Sequence, residues 1–145
     1  MFCTLIIAIG NVARGDDGVG HQVATRLRAR TLPADVSFLA AAGLDVRMAA
    51  DVARCARLMV IDAERRAEPP VEVHPIVTGS AANSGQSIDA PGLLSVAYAL
   101  YGVTPEATLV SIAAPEMGHG EGLSPVAERA ADEAVEAVLA MLGAG

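Results

Sequence analysis

The sequence predicts a three-layer α/β domain in which a mainly parallel sheet lies between helices. Three observations lead there. Apolar, β-branched runs are too continuous for strands with a wet face, helical patterns alternate with them, and no internal repeat or second compositional block interrupts the chain. The first run is Thr4–Ile9, preceded by apolar Phe2. A polar, glycine-rich turn follows, then a helix over residues 19–32 with Val23 and Leu27 on one face and arginines on the other. Residues 36–39 form a weaker strand, and the alanine-rich stretch 46–55 a second helix. The most hydrophobic internal strand is 58–61, closed by Asp62. Residues 71–77 carry Pro75, which cannot donate to a ladder, so this strand belongs at an edge. The stretch 78–86, TGSAANSGQ, reads as a loop and the candidate flap. A third helix follows Pro91 to Tyr101, and 108–112 is the last strong strand. Ser124 suits a helix cap and Pro125 the first helical position. Beyond them Val135, Val138, Leu139 and Leu142 form a stripe opposite Asp132, Glu133 and Glu136.

A chain of 145 residues, 52% hydrophobic and 19% charged, makes one domain and buries roughly 70% of its unfolded surface. Disorder requires the reverse composition. The net charge of -7 argues against nucleic acid, whose non-specific affinity needs clustered cations. All ten basic residues are arginines, and the short groups Arg26, Arg28, Arg30 and Arg65, Arg66 read as solvated faces. No apolar run reaches the ~18 residues of a bilayer span, and the opening lacks a basic region and cleavage site, so no membrane partner and a cytoplasmic protein are expected. Cys3 and Cys55 make neither a disulfide scaffold nor a paired-cysteine metal motif and read as small core residues.

Gly10-Asn11-Val12-Ala13-Arg14-Gly15-Asp16-Asp17-Gly18-Val19-Gly20 leaves the first strand and enters the first helix. Its glycines do not fit G-x-G-x-x-G, and adjacent carboxylates would repel a pyrophosphate there, so no nucleotide cofactor is expected. A cation suits this loop; helix capping by Asp16 and Asp17 is the structural alternative. Asp62, at the carboxyl end of a buried strand beside the first loop, must find a donor, a cation or a proton. Nothing resembles a serine or cysteine protease. Neither cysteine has a recognisable His partner, and Ser87, Ser111 and Ser124 lack a nucleophile-elbow setting. Hydrolysis would use water activated by a carboxylate or a metal.

These motifs, in order, resemble the maturation endopeptidases of nickel-iron hydrogenases. The opening signature matches Gly10-Asn11 through Asp16-Asp17 to Gly20, with Ala8 where the family has its first glycine. An apolar strand ending in Asp-Ala matches residues 58–63. The late signature matches Pro115-Glu116 and Gly122-Leu123-Ser124-Pro125. The resemblance implies a phosphorylase/hydrolase-like fold with a twisted five-stranded sheet between helices. It also implies an endopeptidase that trims the C-terminal extension of a hydrogenase large-subunit precursor once nickel is in place. Nickel, or another divalent cation, would then arrive with the substrate and act as a recognition element.

Carried over residue by residue, the metal ligands fall on Asp17 and Asp62, which are also the catalytic candidates, and the third position falls on Asp89, where the family has a histidine. Three carboxylates are a harder set and favour manganese, magnesium or calcium over nickel. Asp89 equally suits the cap of the third helix. His21, four residues after Asp17, and His119 in the late glycine-rich loop are possible substitute ligands. A second departure is Ala40-Ala41-Ala42-Gly43, where the family commonly has Asp-Gly-Gly-Thr. Both departures leave open a non-catalytic relative that binds a hydrogenase subunit or a divalent metal.

Overall fold

A computed structural model describes residues 3–78, 83–84 and 87–143. In chain order the elements are β1 (Thr4–Ile9), a 3-10 turn (Gly15–Gly18) running into α1 (Val19–Arg28), and β2 (Val36–Ala41). A second 3-10 turn (Val46–Met48) leads into α2 (Ala49–Ala53), followed by β3 (Arg57–Glu64) and β4 (Val71–Ile76). The rest are the short strands β5 (Asn83–Ser84) and β6 (Ser87–Ile88), α3 (Ala90–Tyr101), β7 (Glu106–Ala113) and α4 (Pro125–Gly143). The main sheet has five strands in the order β2-β1-β3-β7-β4, while β5 and β6 pair with each other. Within the main sheet only β4 is antiparallel, and it lies at an edge with Pro75 opposite Thr108, as Pro75 requires.

Strand side chains alternate between two apolar layers. Ile6, Met59, Ile61, Val110 and Ile112 pack under α1 and α4, while Leu5, Ile7, Leu58, Val60 and Ala107 pack under α2 and α3. The central strands are buried on both faces, and this is why their sequences lack polar alternation. The α4 layer is built on Ala127, Ala130, Ala131 and Ala134, all fully buried, whose small side chains let the helix lie close to the sheet. Ser124 caps α4, its Oγ accepting from the Ala127 N–H at 3.2 Å.

The elements differ from expectation in three places. α1 ends at Arg28 rather than reaching residue 32; Pro33 keeps Leu32 out of the α conformation, and the Ala29 N–H closes the last turn on Arg26 O. The second helix is a 3-10 turn followed by only five α residues. Asp45 caps the 3-10 turn through the Arg47 N–H at 2.8 Å. β3 continues past Asp62, since Asp62, Ala63 and Glu64 stay in register with Ser111, Ile112 and Ala113 of β7. The backbone ladder is indifferent to the side-chain polarity that marks a strand's end in the sequence. Most of the candidate flap, 78–86, lies outside the described residues.

The carboxyl ends of the four parallel strands share one rim, where a ligand site is expected in an open α/β sheet. Gly20 sets how α1 meets that rim: a Cβ there would stand 2.9 Å from the Ile9 carbonyl oxygen and 3.1 Å from that of Ile61. The first turn of α1 thus rests directly on the ends of β1 and β3.

Candidate functional site

Two loops meet at the rim, the one after β1 and the one after β7. Gly15 donates its N–H to Gly120 O at 2.8 Å, Gly120 returns one to Ala13 O at 2.9 Å, and Asp16 N–H reaches Glu116 O at 3.1 Å. The centre of this junction is Asp16, which is fully buried. Its carboxylate accepts from Glu116 N at 2.9 Å, Ser124 N at 2.6 Å and Ser124 Oγ at 2.7 Å. Buried carboxylates need such donors, and here all of them come from the second loop. Asp16 is therefore a tether between segments about a hundred residues apart, a role the sequence did not separate from that of Asp17. The adjacent acids look alike in the chain, and no local signal points to Ser124.

Asp17, one residue on, faces a different way and is only partly buried. Its Oδ2 accepts from the Asn11 N–H at 3.1 Å, while Asn11 Oδ1 accepts from the Ala13 N–H at 2.9 Å, so the polar turn folds around the Asp17 carboxylate. Gly10 makes this turn possible. Its φ is +143°, and a Cβ would stand 2.0 Å from the Asp17 carbonyl oxygen. Gly10→Ala is therefore expected to destabilise the protein by about 2 kcal/mol or more, measured by urea unfolding.

Asp62 projects from β3 on the α2/α3 side, in line with Leu58 and Val60. Among the described residues it has no arginine or histidine partner. Burial pushes its pKa up to about 6; the Ala63 backbone N–H opposes this, and the negative charges of Asp17 and Glu64 add to it. Asp62, on β3, thus feels the charge of Asp17 from the turn before α1.

A polar cluster that the sequence did not reveal holds the neighbouring strands. Arg66 donates to Ser111 Oγ at 2.6 Å, Ser111 O at 3.0 Å, Glu64 Oε2 at 2.9 Å and Pro69 O at 2.9 Å, while Ser111 Oγ donates to Glu64 Oε2 at 2.7 Å. Arg66 is thereby engaged with Glu64 and Ser111 rather than with Asp62. Its partners are scattered over β3, β7 and the Pro69 turn, which is why sequence reading missed it.

The remaining candidates stand apart. Asp89 is exposed and caps α3, its Oδ1 accepting from the Gly92 N–H at 2.8 Å. His21 uses Nε2 on the Gly10 carbonyl at 2.7 Å; a carbonyl can only accept, so Nε2 carries the proton and is closed to a metal. His119 is exposed and lines a cavity of about 480 Å³ with Gly15, Asp16, Arg65 and the loop 115–124. Neither Asp17 nor Asp62 lines that cavity. Among the described residues, no three His, Cys, Asp or Glu side chains come together as a metal-binding group.

The fold and this rim define a class: three-layer α/β proteins whose first loop and third strand each present a carboxylate at the carboxyl edge of the sheet. Solved structures with this fold include hydrogenase maturation proteases, which agrees at the level of fold with the resemblance read from the motifs. The chain is similar to the hydrogenase maturating endopeptidase HybD from E. coli, with a TM-score of 0.76 and 23% identity, covering 97% of this chain and 91% of that one. It is similar to the hydrogenase maturation protease HycI from Thermococcus kodakarensis, with a TM-score of 0.72 and 21% identity over 98% and 93% of the two chains. The hydrogenase 2 maturation peptidase from Thaumarchaeota archaeon SCGC_AB-539-E09 matches with a TM-score of 0.70 and 26% identity over 97% and 98%. No protein-family profile matches the chain, and no curated protein matches it significantly. Among the described residues no helix is long and apolar enough to cross a membrane.

Proposed function

We propose that the chain is an endopeptidase that removes a C-terminal peptide from a nickel-loaded hydrogenase large-subunit precursor, the metal serving as part of the substrate. The observation that carries this reading is Asp62, a partly buried carboxylate without a cationic partner among the described residues and within the electrostatic reach of Asp17. A fold shared with maturation proteases supports the class of reaction.

Two carboxylates do not complete a coordination shell, and this suits a metal whose other ligands belong to the substrate. Nickel held by the precursor would polarise the scissile carbonyl or its attacking water. Asp17, fixed by the Asn11 N–H, would present a carboxylate to the metal without moving. The pKa of about 6 belongs to the metal-free site; facing the cation, Asp62 would be held ionised, and its carboxylate would accept the proton of the attacking water and pass it to the leaving amine. Asp89 would join as a third ligand only if the start of α3 closed toward the rim and its carboxylate left or shared the Gly92 N–H. The hardness of the oxygen donors makes manganese or magnesium a usable substitute for nickel in binding experiments.

The engagement of Asp89 in a cap favours a second reading, a non-catalytic relative that binds a large subunit or a divalent metal. One experiment separates the two. Incubated with nickel-loaded and metal-free precursor, the protein is expected to shorten only the loaded form, read by intact mass. If the loaded precursor keeps its C-terminal peptide while still binding the protein, the catalytic reading fails and the binding one stands.

A further inference from the structure

At the opposite edge of the sheet, the amino ends of β1 and β3 bring the two cysteines together. Cys3 immediately precedes β1, and its carbonyl accepts from the N–H groups of Ala56 at 3.0 Å and Arg57 at 3.1 Å, so it lies beside the residues that follow Cys55. Both thiols turn onto the end of α2. Cys3 Sγ donates to Arg54 O at 3.0 Å, and Cys55 Sγ donates to Val52 O at 3.1 Å. They line one cavity of about 340 Å³ with Leu5, Phe38, Asp51 and Arg54. Both cysteines are free and partly exposed, so the pair is accessible. The sequence pointed to two isolated core residues; the topology instead makes them neighbours across adjacent parallel strands.

We propose that Cys3 and Cys55 form a dithiol site that is modified by low-molecular-weight disulfides and closes reversibly to an intramolecular disulfide. In the first step the Cys3 thiolate attacks one sulfur of the small disulfide. That S–S bond breaks, one thiolate leaves and is protonated, and Cys3 carries the mixed disulfide. In the second, Cys55 loses its proton to solvent and attacks the Cys3 sulfur, and the second small thiolate leaves and is protonated. The protein's two thiols are oxidised, and the small disulfide is reduced to two thiols. Burial, and next the neighbouring Cys3, push the Cys55 thiol up to about 11, which makes it the later, slower partner in this order. The charged groups lining the cavity with the pair are Asp51 and Arg54, bonded to each other at the end of α2, while the Arg57 side chain turns to the other face of the sheet onto Met141 O. Closure would withdraw both S–H donors from the Val52 and Arg54 carbonyls at the end of α2.

The test is intact mass of the full chain after exposure to oxidised glutathione, analysed denatured and unreduced. The expected product has lost two hydrogens, retains no glutathione, and returns to the starting mass with dithiothreitol. The Cys55→Ser chain is expected to stop at one glutathione adduct on Cys3. A wild-type chain that stays unmodified, keeps glutathione without closing, or crosslinks only between chains overturns the proposal. A second measurement needs no variant: phenylarsine oxide, which bridges paired thiols, is expected to add once per wild-type chain and to be displaced only by a dithiol. Failure to add contradicts the site.

Discussion

Replacing Asp16 by alanine is expected to lower the unfolding free energy by about 3 kcal/mol or more, a larger effect than that of any other single carboxylate here. The substitution removes the common acceptor of Glu116 N, Ser124 N and Ser124 Oγ and leaves those donors in a buried junction. Stranding a buried donor costs on the order of 1–3 kcal/mol, and two backbone N–H groups are affected at once. Asn is not a rescue. Its amide nitrogen replaces one acceptor oxygen and would point a donor at a donor, so Asp16→Asn is expected to cost about 2 kcal/mol. Urea unfolding checks both. Values within ~0.5 kcal/mol of the wild type, the range of ordinary surface changes, would mean that the two loops are not held through this side chain.

Asp62→Asn is expected to separate stability from activity. Processing of a nickel-loaded precursor should fall at least about 100-fold, the usual scale for loss of a group that moves a proton. Stability at neutral pH should rise. The folded-state pKa of about 6 lies above the ordinary 3.8, so ionised Asp62 is disfavoured by folding. Below pH ~3 the carboxyl is neutral in both states and contributes nothing. As pH climbs from there through 6 the folded state binds the extra proton, stability is lost, and above 6 the penalty is complete. Because the group is partly solvated, the gain from Asn at pH 7 is expected to be about 1 kcal/mol and to vanish below pH ~3. Urea unfolding at pH ~3 and ~7 measures it. A carboxylate whose ionised form costs stability where it sits is not explained by packing, which leaves a functional role.

Much of the architecture was legible because the strands are buried on both faces. Residues 4–9, 58–61 and 108–112 are unbroken apolar runs, and only a sheet covered by helices on both sides asks for that. Pro75 announced its edge, and Ser124-Pro125 announced the start of α4, each for a local backbone reason. The 46–55 segment was less clear: its alanines suit a helix, but Asp45 starts a 3-10 turn and α2 is complete by Ala53. At the rim, local patterning located the acidic turn and Asp62, but could not tell which of two adjacent acids faces inward. That choice is set by Ser124 and Glu116, more than ninety residues away along the chain. The Arg66, Ser111 and Glu64 cluster was invisible for the same reason, since its members meet only through the β3–β7 pairing. Asp89 could be read either as ligand or as cap, and its hydrogen bond to Gly92 is that of a cap.

The central claim is that Asp17 and Asp62, from separate elements, serve one cation. Titration calorimetry with nickel and with manganese on the wild type, Asp17→Asn and Asp62→Asn tests it most directly. With the Asp62 pKa near 6, wild-type binding at pH 6 should release about half a proton, seen as a dependence of the heat on buffer, and each Asn variant should lose at least tenfold in affinity. Wild-type affinity in both variants, with no change in proton release, would contradict a shared site.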